Sequence, residues 1–427
     1  MTAEVSVMNQ IGVALAADSA VTIGQNATKI HTSADKLFQL TPQSAVGIMI
    51  YGNANFVGLP WETIIKTYRL ECGDKTQATI QEYADSFFSF LRKSKALFPQ
   101  KDQDEAIANL VLFHMYMIRE QIKERLDDEA KKTKTGLDKK DIPKIVALEI
   151  KETLANARKW KLIDGFTKSI RDRTKKRYDS IIKDTRKKIF DKLPITAAAS
   201  RNLASIIHEI LCREFFGPFE SGLVLAGFGD DEYLPSLINF ELEQMVVSKP
   251  RFRLSNKSKI DNDNNAAINP FAQLDMVEAF MNGIQKGLSS YMMNTTDELF
   301  SGVTNAIFEI VKKKDPKIGA ELKKLISPNV DKLKTQLFQD WKSRQEHYWR
   351  PVVQIVATLP KDELASMAEA LVNLTKFRRR VTTVPETVGG PIDVAVITKG
   401  DGFVWIKRKH YFTGELNPRK IASYSRD

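Results

Sequence analysis

The second residue of the chain, Thr2, is the clearest candidate for chemistry because it directly follows Met1. Methionine aminopeptidase removes Met1 when the next residue is small, and removal would leave Thr2 with a free α-amine beside its hydroxyl. An α-amine ordinarily has a pKa of about 7.7–8.0, so a useful fraction is neutral at neutral pH. Because a threonine hydroxyl can be activated by its own amine, Thr2 indicates a hydrolase that works through a covalent intermediate. An ordinary N-terminus is the alternative reading of the same residue.

The composition is that of a globular protein. The chain has 427 residues, of which 43% are hydrophobic and 27% are charged, and this is enough for one large core with an insertion. Cys72 and Cys212 lie far apart and have no CxxC spacing, so neither a zinc site nor a disulfide framework is predicted. No leader peptide is recognised at the start, and no uncharged apolar run approaches about 18 residues. We therefore expect a cytoplasmic protein that does not enter a membrane.

The positive charge is concentrated in one segment. The net charge is +11, and residues 131–192 alone contain 21 Lys and Arg against nine Asp and Glu. Such a segment could bind nucleic acid through phosphate contacts. Its acidic residues are interleaved with the basic ones, so a solvated helical face is the favoured interpretation and nucleic acid is not an expected partner.

Hydrophobic periodicity predicts the elements that would position Thr2. Alternating residues at the start predict a hairpin around the polar turn Asn9-Gln10, and two further strands begin at Lys36 and end at Gly52. Apolar residues at helical spacing then predict helices over Trp61–Arg69 and Thr79–Lys95.

The rest of the chain alternates between helical and strand patterns. A long charged helical region runs from about residue 99 to 217, and the segments SGLVLAGFG and YLPSLINFELE after it form a predicted hairpin. Helices are predicted over Pro270–Met293, over a Lys-rich stretch up to about Trp349, and over Asp362–Arg380. The segments DVAVITK and FVWIKRK are the last predicted strands.

This order of elements predicts an α+β layered sandwich rather than alternating βαβ units. The predicted segments are 1–98 for the N-terminal half of a core, 99–215 for a basic helical insertion, 216–295 for a central hairpin and helix, 296–350 for a helical extension, and 351–427 for the last helix and strands of the core.

Four sequence elements resemble the proteasome β subunit and its bacterial relatives. The segment Gly12-Val-Ala-Leu-Ala-Ala-Asp18-Ser19 matches the family's first hairpin and places Asp18 sixteen residues after Thr2. Lys36-Leu-Phe-Gln-Leu matches the strand that opens with the catalytic lysine, and Tyr51-Gly52-Asn53-Ala54-Asn55 occupies the place of the turn that supplies an oxyanion-hole amide. The resemblance implies a four-layer αββα sandwich of the N-terminal nucleophile (Ntn) hydrolase type, here with large helical insertions.

The resemblance also implies roles for these residues. Thr2 would be the nucleophile, and Asp18 would be a buried carboxylate paired with Lys36. The lysine charge would favour the neutral amine and the developing alkoxide. Backbone N–H groups at Tyr51 or Gly52 would hold the oxyanion. No metal and no organic cofactor is needed.

The chain departs from the family near its last turn. Where the family has an aspartate and a serine in a D-x-x-S-G-G pattern, this chain has Pro385 and Val388. Ser19, Glu386 and Thr387 are the candidates to support the terminal amine instead.

Three functions remain open from the sequence. The first is a self-compartmentalising threonine peptidase, a homo-oligomer in a ring or in stacked rings that cleaves peptides or proteins, with an ATPase left open as a partner. The second is a non-proteolytic amidohydrolase on the same fold. The third is a catalytically silent assembly protein that binds a partner through its basic helical insertion.

Overall fold

The structure, a computed structural model, describes residues 2–23, 29–132, 137–382 and 388–419. In this part of the chain the strands are β1 (Ala3–Asn9), β2 (Gly12–Asp18), β3 (Val21–Ile23), β4 (Lys29–His31), β5 (Leu37–Gln39), β6 (Val46–Gly52), β7 (Asn55–Phe56), β8 (Leu59–Pro60), β9 (Ser221–Gly227), β10 (Ser236–Val246), β11 (Lys249–Lys259), β12 (Ala266–Ala272), β13 (Ile392–Thr398) and β14 (Gly402–Lys407). The helices are α1 (Trp61–Cys72), α2 (Ile80–Lys93), α3 (Gln100–Lys132), α4 (Ile142–Ala157), α5 (Lys168–Ile189), α6 (Ala197–Cys212), α7 (Asp275–Asn282), α8 (Lys286–Lys314), α9 (Pro316–Val356) and α10 (Lys361–Arg380), and a short 3₁₀ turn covers Gly414–Leu416.

The chain divides into two compact units. The first contains the residues up to Ala34 and those from Lys259 onward, and the second contains Asp35–Ser258. Each unit combines helices with one five-stranded antiparallel sheet. The predicted α+β class is therefore confirmed, and the four-layer stacking of the two sheets stays a prediction.

The first unit is built on the N-terminal hairpin. Its sheet has the order β12-β1-β2-β13-β14 with antiparallel neighbours, so the predicted first and last hairpins are confirmed. On one face, small and β-branched residues such as Val5, Ala14 and Val394 pack against Ala368 and Leu371 of α10. Alanines on the sheet let the helix approach closely. Every residue of β1 and β2 is buried.

The second unit contains two hydrophobic clusters. Helices α1 and α2 pack on the sheet β11-β10-β9-β6-β5 and confirm the two helices predicted after Gly52. Helices α3–α6 form the other cluster, together with Val246 and Val247 at the end of β10. In α5, Ile170, Thr174, Tyr178 and Ile182 are buried at intervals of four residues, and its basic residues are mostly exposed.

A buried ion pair lies inside the second unit. The guanidinium of Arg251 pairs with Glu243, and both side chains are fully buried. The same guanidinium donates to the carbonyls of Ile210 and Phe215, and Glu243 accepts the N–H of Gly217 at 2.8 Å. A buried pair keeps its charges only when further hydrogen bonds satisfy them, and here they join β10 and β11 to the chain after α6.

Two strands that the sequence pattern did not predict complete the sheets. Strand β11 is largely polar and forms the edge of its sheet, so its residues do not alternate clearly between apolar and polar. Strand β12 includes Pro270–Ala272, which the sequence assigned to a helix, and that assignment is wrong. Pro270 lies opposite Val5 at the sheet edge, where a proline is tolerated because its outward side needs no ladder hydrogen bond.

Across the described residues, no helix combines the length and the apolar character that crossing a bilayer requires.

Candidate active site

Thr2 is buried at the very start of the first unit, with only 4% of its surface exposed. The next residue, Ala3, donates its backbone N–H to the Asp18 carboxylate at 3.1 Å. The other oxygen of Asp18 accepts the N–H groups of Ala20 at 3.2 Å and Gly389 at 2.9 Å. The first residues of most chains are poorly ordered unless something ties them down. Here one buried carboxylate fixes the chain immediately after Thr2.

The turn that enters β13 is held against the same hairpin end. The backbone N–H of Ser19 donates to the carbonyl of Gly389 in this turn at 3.1 Å. The hydroxyl of Ser19 donates to the carbonyl of Pro391 at 2.7 Å. Lys376 of α10 donates to the carbonyl of Gly390 at 2.8 Å. Ser19, a predicted support residue, therefore holds the Val388–Pro391 turn.

Gly390 is required where this turn meets the loop before β5. Its φ of 76° lies in the left-handed region that favours glycine. A Cβ at this position would come within 2.5 Å of the carbonyl oxygen of Thr32. Ala34, two residues after Thr32, donates its N–H to the carbonyl of Ser19 at 3.1 Å. The turn, the loop and the hairpin end therefore meet around Asp18.

Lys36 and Gly52 lie in the second unit, on neighbouring strand ends. The Lys36 side chain is 5% exposed, and its carbonyl accepts the N–H of Ile50 at 3.0 Å. Successive N–H groups of an extended strand point to opposite edges. Two residues after Ile50, the N–H of Gly52 therefore points to the same edge as Lys36, while the N–H of Tyr51 points towards β9.

Glycines around Tyr51 and Gly52 allow the strand end to pack tightly. A Cβ at Gly52 would come within 2.5 Å of the carbonyl oxygen of Glu220, and Gly52 has a φ of 79°. The Tyr51 ring lies directly over Gly222, where a Cβ would come within 1.9 Å of the ring. The Tyr51 hydroxyl contacts the Asn239 amide at 2.9 and 3.2 Å. Tyr51 therefore acts as a packing residue at the end of β6.

The predicted site residues thus fall into two groups. Thr2, Asp18 and Ser19 come together in the first unit, and Lys36, Tyr51 and Gly52 come together in the second. The pairing of Asp18 with Lys36 would join the two groups and stays a prediction. Glu386 and Thr387 lie outside the described residues.

Two ionisable groups near these elements were not predicted. Asp393, next to the residue that pairs with Asp18 in the sheet, is buried and forms an ion pair with Lys409. Glu220 accepts the N–H of Asn53 through its carbonyl at 2.9 Å and lies against Gly52. Burial, and next the charge of Glu241, raise the pKa of Glu220 to about 7. Both groups contact residues that are distant in the chain, and the spacing of residues in the sequence does not reveal such contacts.

Comparisons with known proteins identify no family for this chain. No family model matches the chain, and no curated protein matches it. Among solved structures, the chain is similar to the Gly-1 mutant of Anbu from Hyphomicrobium sp. strain MC1, with 10% sequence identity and a TM-score of 0.29. The match covers 100% of this chain and 98% of that one. A likeness at this score carries no argument for a shared activity.

Replacing Asp18 by Asn tests the anchor after Thr2. The amide offers one acceptor and one donor, so at least one of the three backbone N–H groups that Asp18 now accepts loses its partner. We expect the free energy of unfolding to fall by about 1–3 kcal/mol, as measured by urea denaturation. Asp127→Asn on the exposed face of α3 is the matched control and should change stability little. Equal losses in the two variants would contradict the anchor.

Glu220 should make stability depend on pH near neutrality. The pKa of Glu220 is raised to about 7 in the folded state. Between the ordinary pKa of a glutamate and pH 7, the folded state therefore keeps a proton on Glu220 that the unfolded state has released. The free energy of unfolding should therefore decrease as the pH rises from about 4.5 to 7. Its side chain is 27% exposed, so we expect a loss of about 2 kcal/mol after allowing for solvent screening.

Glu220→Gln removes this titration and is compared with the unchanged protein by denaturation at pH 5 and pH 8. The difference between the two proteins cancels other titrations, such as that of His114, whose pKa burial and the Arg251 charge lower to about 3. A pH dependence that is the same in both proteins would show that Glu220 is not the group responsible.

Proposed function

We propose that the chain is a threonine-type Ntn hydrolase, with Thr2 as the nucleophile after Met1 has been removed. The observation that supports this most strongly is the buried, anchored start of the chain, in which Asp18 accepts the N–H of Ala3 next to Thr2. Chain ends are usually frayed unless the fold ties them down, and here a buried carboxylate adds to the strand pairing of β1 in holding the residue next to Thr2.

The proposed reaction breaks an amide bond in two steps. The hydroxyl of Thr2 gives its proton to the α-amine while Oγ attacks the amide carbonyl carbon. The tetrahedral intermediate then collapses, the amine passes the proton to the leaving nitrogen, and an ester to Thr2 remains. The amine next takes a proton from water, and the attack of water on the ester releases the acid and restores Thr2. Both proton transfers involve the same amine, so no other base is required.

Lys36 and Gly52 have electrostatic roles in this proposal. The Lys36 charge disfavours protonation of the nearby amine and stabilises the developing alkoxide. The N–H of Gly52 is the proposed donor to the oxyanion, because it points to the same strand edge as Lys36. A backbone donor is fixed in advance, so it need not reorganise when charge develops.

Two classes of substrate are compatible with this reaction. A peptide or protein substrate, cleaved by a homo-oligomer in the cytoplasm, is the first choice, and an ATPase partner would be required only for folded substrates. Val388 is fully buried and apolar at the position where the resembled family has a serine. This difference beside the Asp18 anchor favours keeping a small-amide hydrolase as the second candidate.

A covalent probe tests the nucleophile directly. The intact mass of protein with a native start should be lower than that of the full sequence by one methionine, and it should increase by one adduct after treatment with a β-lactone or an epoxyketone. Thr2→Ser should keep the adduct, since serine also has a hydroxyl beside its amine, and Thr2→Ala should lose it. Thr63→Ala, on the exposed side of α1, is the control. An adduct on Thr2→Ala, or on protein with a blocked N-terminus, would refute the mechanism.

Lys36→Met tests the charge while keeping the length of the side chain. We expect turnover of a fluorogenic peptide to fall by roughly 10²–10³-fold, the size of comparable electrostatic contributions. Lys66→Met, at an exposed helical pair with Glu62, should leave turnover unchanged. If Lys36→Met keeps more than a tenth of the rate, the lysine has no such role.

A further inference from the structure

Helices α8 and α9 form a long hairpin in the first unit that a single copy of the chain leaves largely uncovered. The helices have 29 and 41 residues and are joined at Asp315, whose side chain caps α9 by accepting the N–H groups of Lys317 at 2.8 Å and Ile318 at 3.2 Å. Of these residues, all of them described, Ser289 and Phe308 of α8 and Gly319 and Val356 of α9 are the buried ones. Stable helices normally bury one face.

The exposed surface of α8 carries an apolar stripe. Leu299, Val303, Ile307 and Ile310 follow one another at intervals of four, four and three residues and are between 43% and 63% exposed. The stripe borders an apolar groove of about 470 Å³ between the two helices, with Ile326 of α9 on its far wall. Monomeric proteins rarely expose continuous apolar surface of this extent.

The area of this surface matches that of a dimer interface. Each half-exposed large side chain offers roughly 100 Å² of apolar surface. The four stripe residues, with Leu325 and Leu333 of α9, would bury roughly 600 Å² from each copy. Two copies together then reach about 1,200 Å², the lower bound for specific interfaces even before polar atoms are counted.

The charges along α8 are arranged so that the helix can pair with an inverted copy of itself. Lys312–Lys314 follow the stripe at the C-terminal end of the helix. Ala306 lies within the stripe, is exposed, and is small enough to let two helices cross closely. If two α8 helices run antiparallel through Ala306, the lysines of the two copies lie at opposite ends of the pair. A parallel pairing would instead place lysines against lysines, which is unfavourable.

We propose that two copies of the chain associate through this hairpin, with their α8 helices antiparallel about a two-fold axis at Ala306, so that the two hairpins form a four-helix bundle. The pairing requires no catalytic activity and is independent of the proposed function. It adds a specific contact surface to any larger assembly.

Disulfide trapping in the full chain tests both the contact and its direction. In a Cys72→Ser background, Ala306→Cys should form a covalent dimer under mild oxidation, because the two cysteines meet at the axis. Leu288→Cys lies on the same helix, 18 residues away, so in the antiparallel pairing its two copies would be about 50 Å apart and should not cross-link. Dimers from both variants would indicate a parallel pairing, and dimers from neither would refute the contact. Either result would overturn the proposal.

A mass measurement in the unmodified cysteine background completes the test. Val303→Asp combined with Ile307→Asp should lower the association constant measured by sedimentation at least tenfold, while Leu70→Asp, at a still more exposed leucine in the second unit, should leave it unchanged. Equal effects of the two changes would contradict the proposal, as would binding of the monomer through the stripe to phosphatidylserine vesicles. Labelling of Thr2 by the covalent probe should persist in all these variants, so a failure of the pairing is distinguishable from a failure of the hydrolase proposal.

Discussion

The carboxylate of Asp18 is the interaction on which the organisation of the first unit depends. It accepts N–H groups from three places in the chain: Ala3 at the start of β1, Ala20 directly after β2, and Gly389 before β13. A buried carboxylate is costly unless its oxygens are satisfied, so these three partners and the charge depend on one another. The same contact fixes the position of Thr2, which a hydrolase of the proposed type would have to hold in place.

Backbone conformation restricts this region as strongly as hydrogen bonding does. Gly390 adopts a left-handed φ where any Cβ would clash with Thr32. Gly52 in the second unit is restricted in the same way by Glu220. At both places a strand end must approach another backbone closely, and only glycine permits this.

Both units satisfy buried charges with backbone partners as well as with opposite charges. In the first, Asp18 accepts backbone N–H groups and Asp393 pairs with Lys409. In the second, Arg251 pairs with Glu243 and also donates to backbone carbonyls. Close to that pair, Glu220 is kept partly out of water beside like-charged Glu241, which raises its pKa to about 7. This titration makes the strand end near Gly52 sensitive to pH.

The N-terminal hairpin, the helices after Gly52, the central hairpin and helix α10 could be predicted from the sequence, because their apolar residues repeat with the period of the element they form. Asp18 and Ser19 could likewise be singled out from their spacing to Thr2. The edge strands β11 and β12 could not, since a polar or proline-containing edge has no clear period and is stabilised by its partner strand. Only the tertiary structure decided three features: the hydrogen bond of Asp18 to Gly389, the contact of Gly390 with Thr32, and the burial of Glu220. All three depend on residues far apart in the chain, and local sequence carries no information about which distant segment will supply the partner.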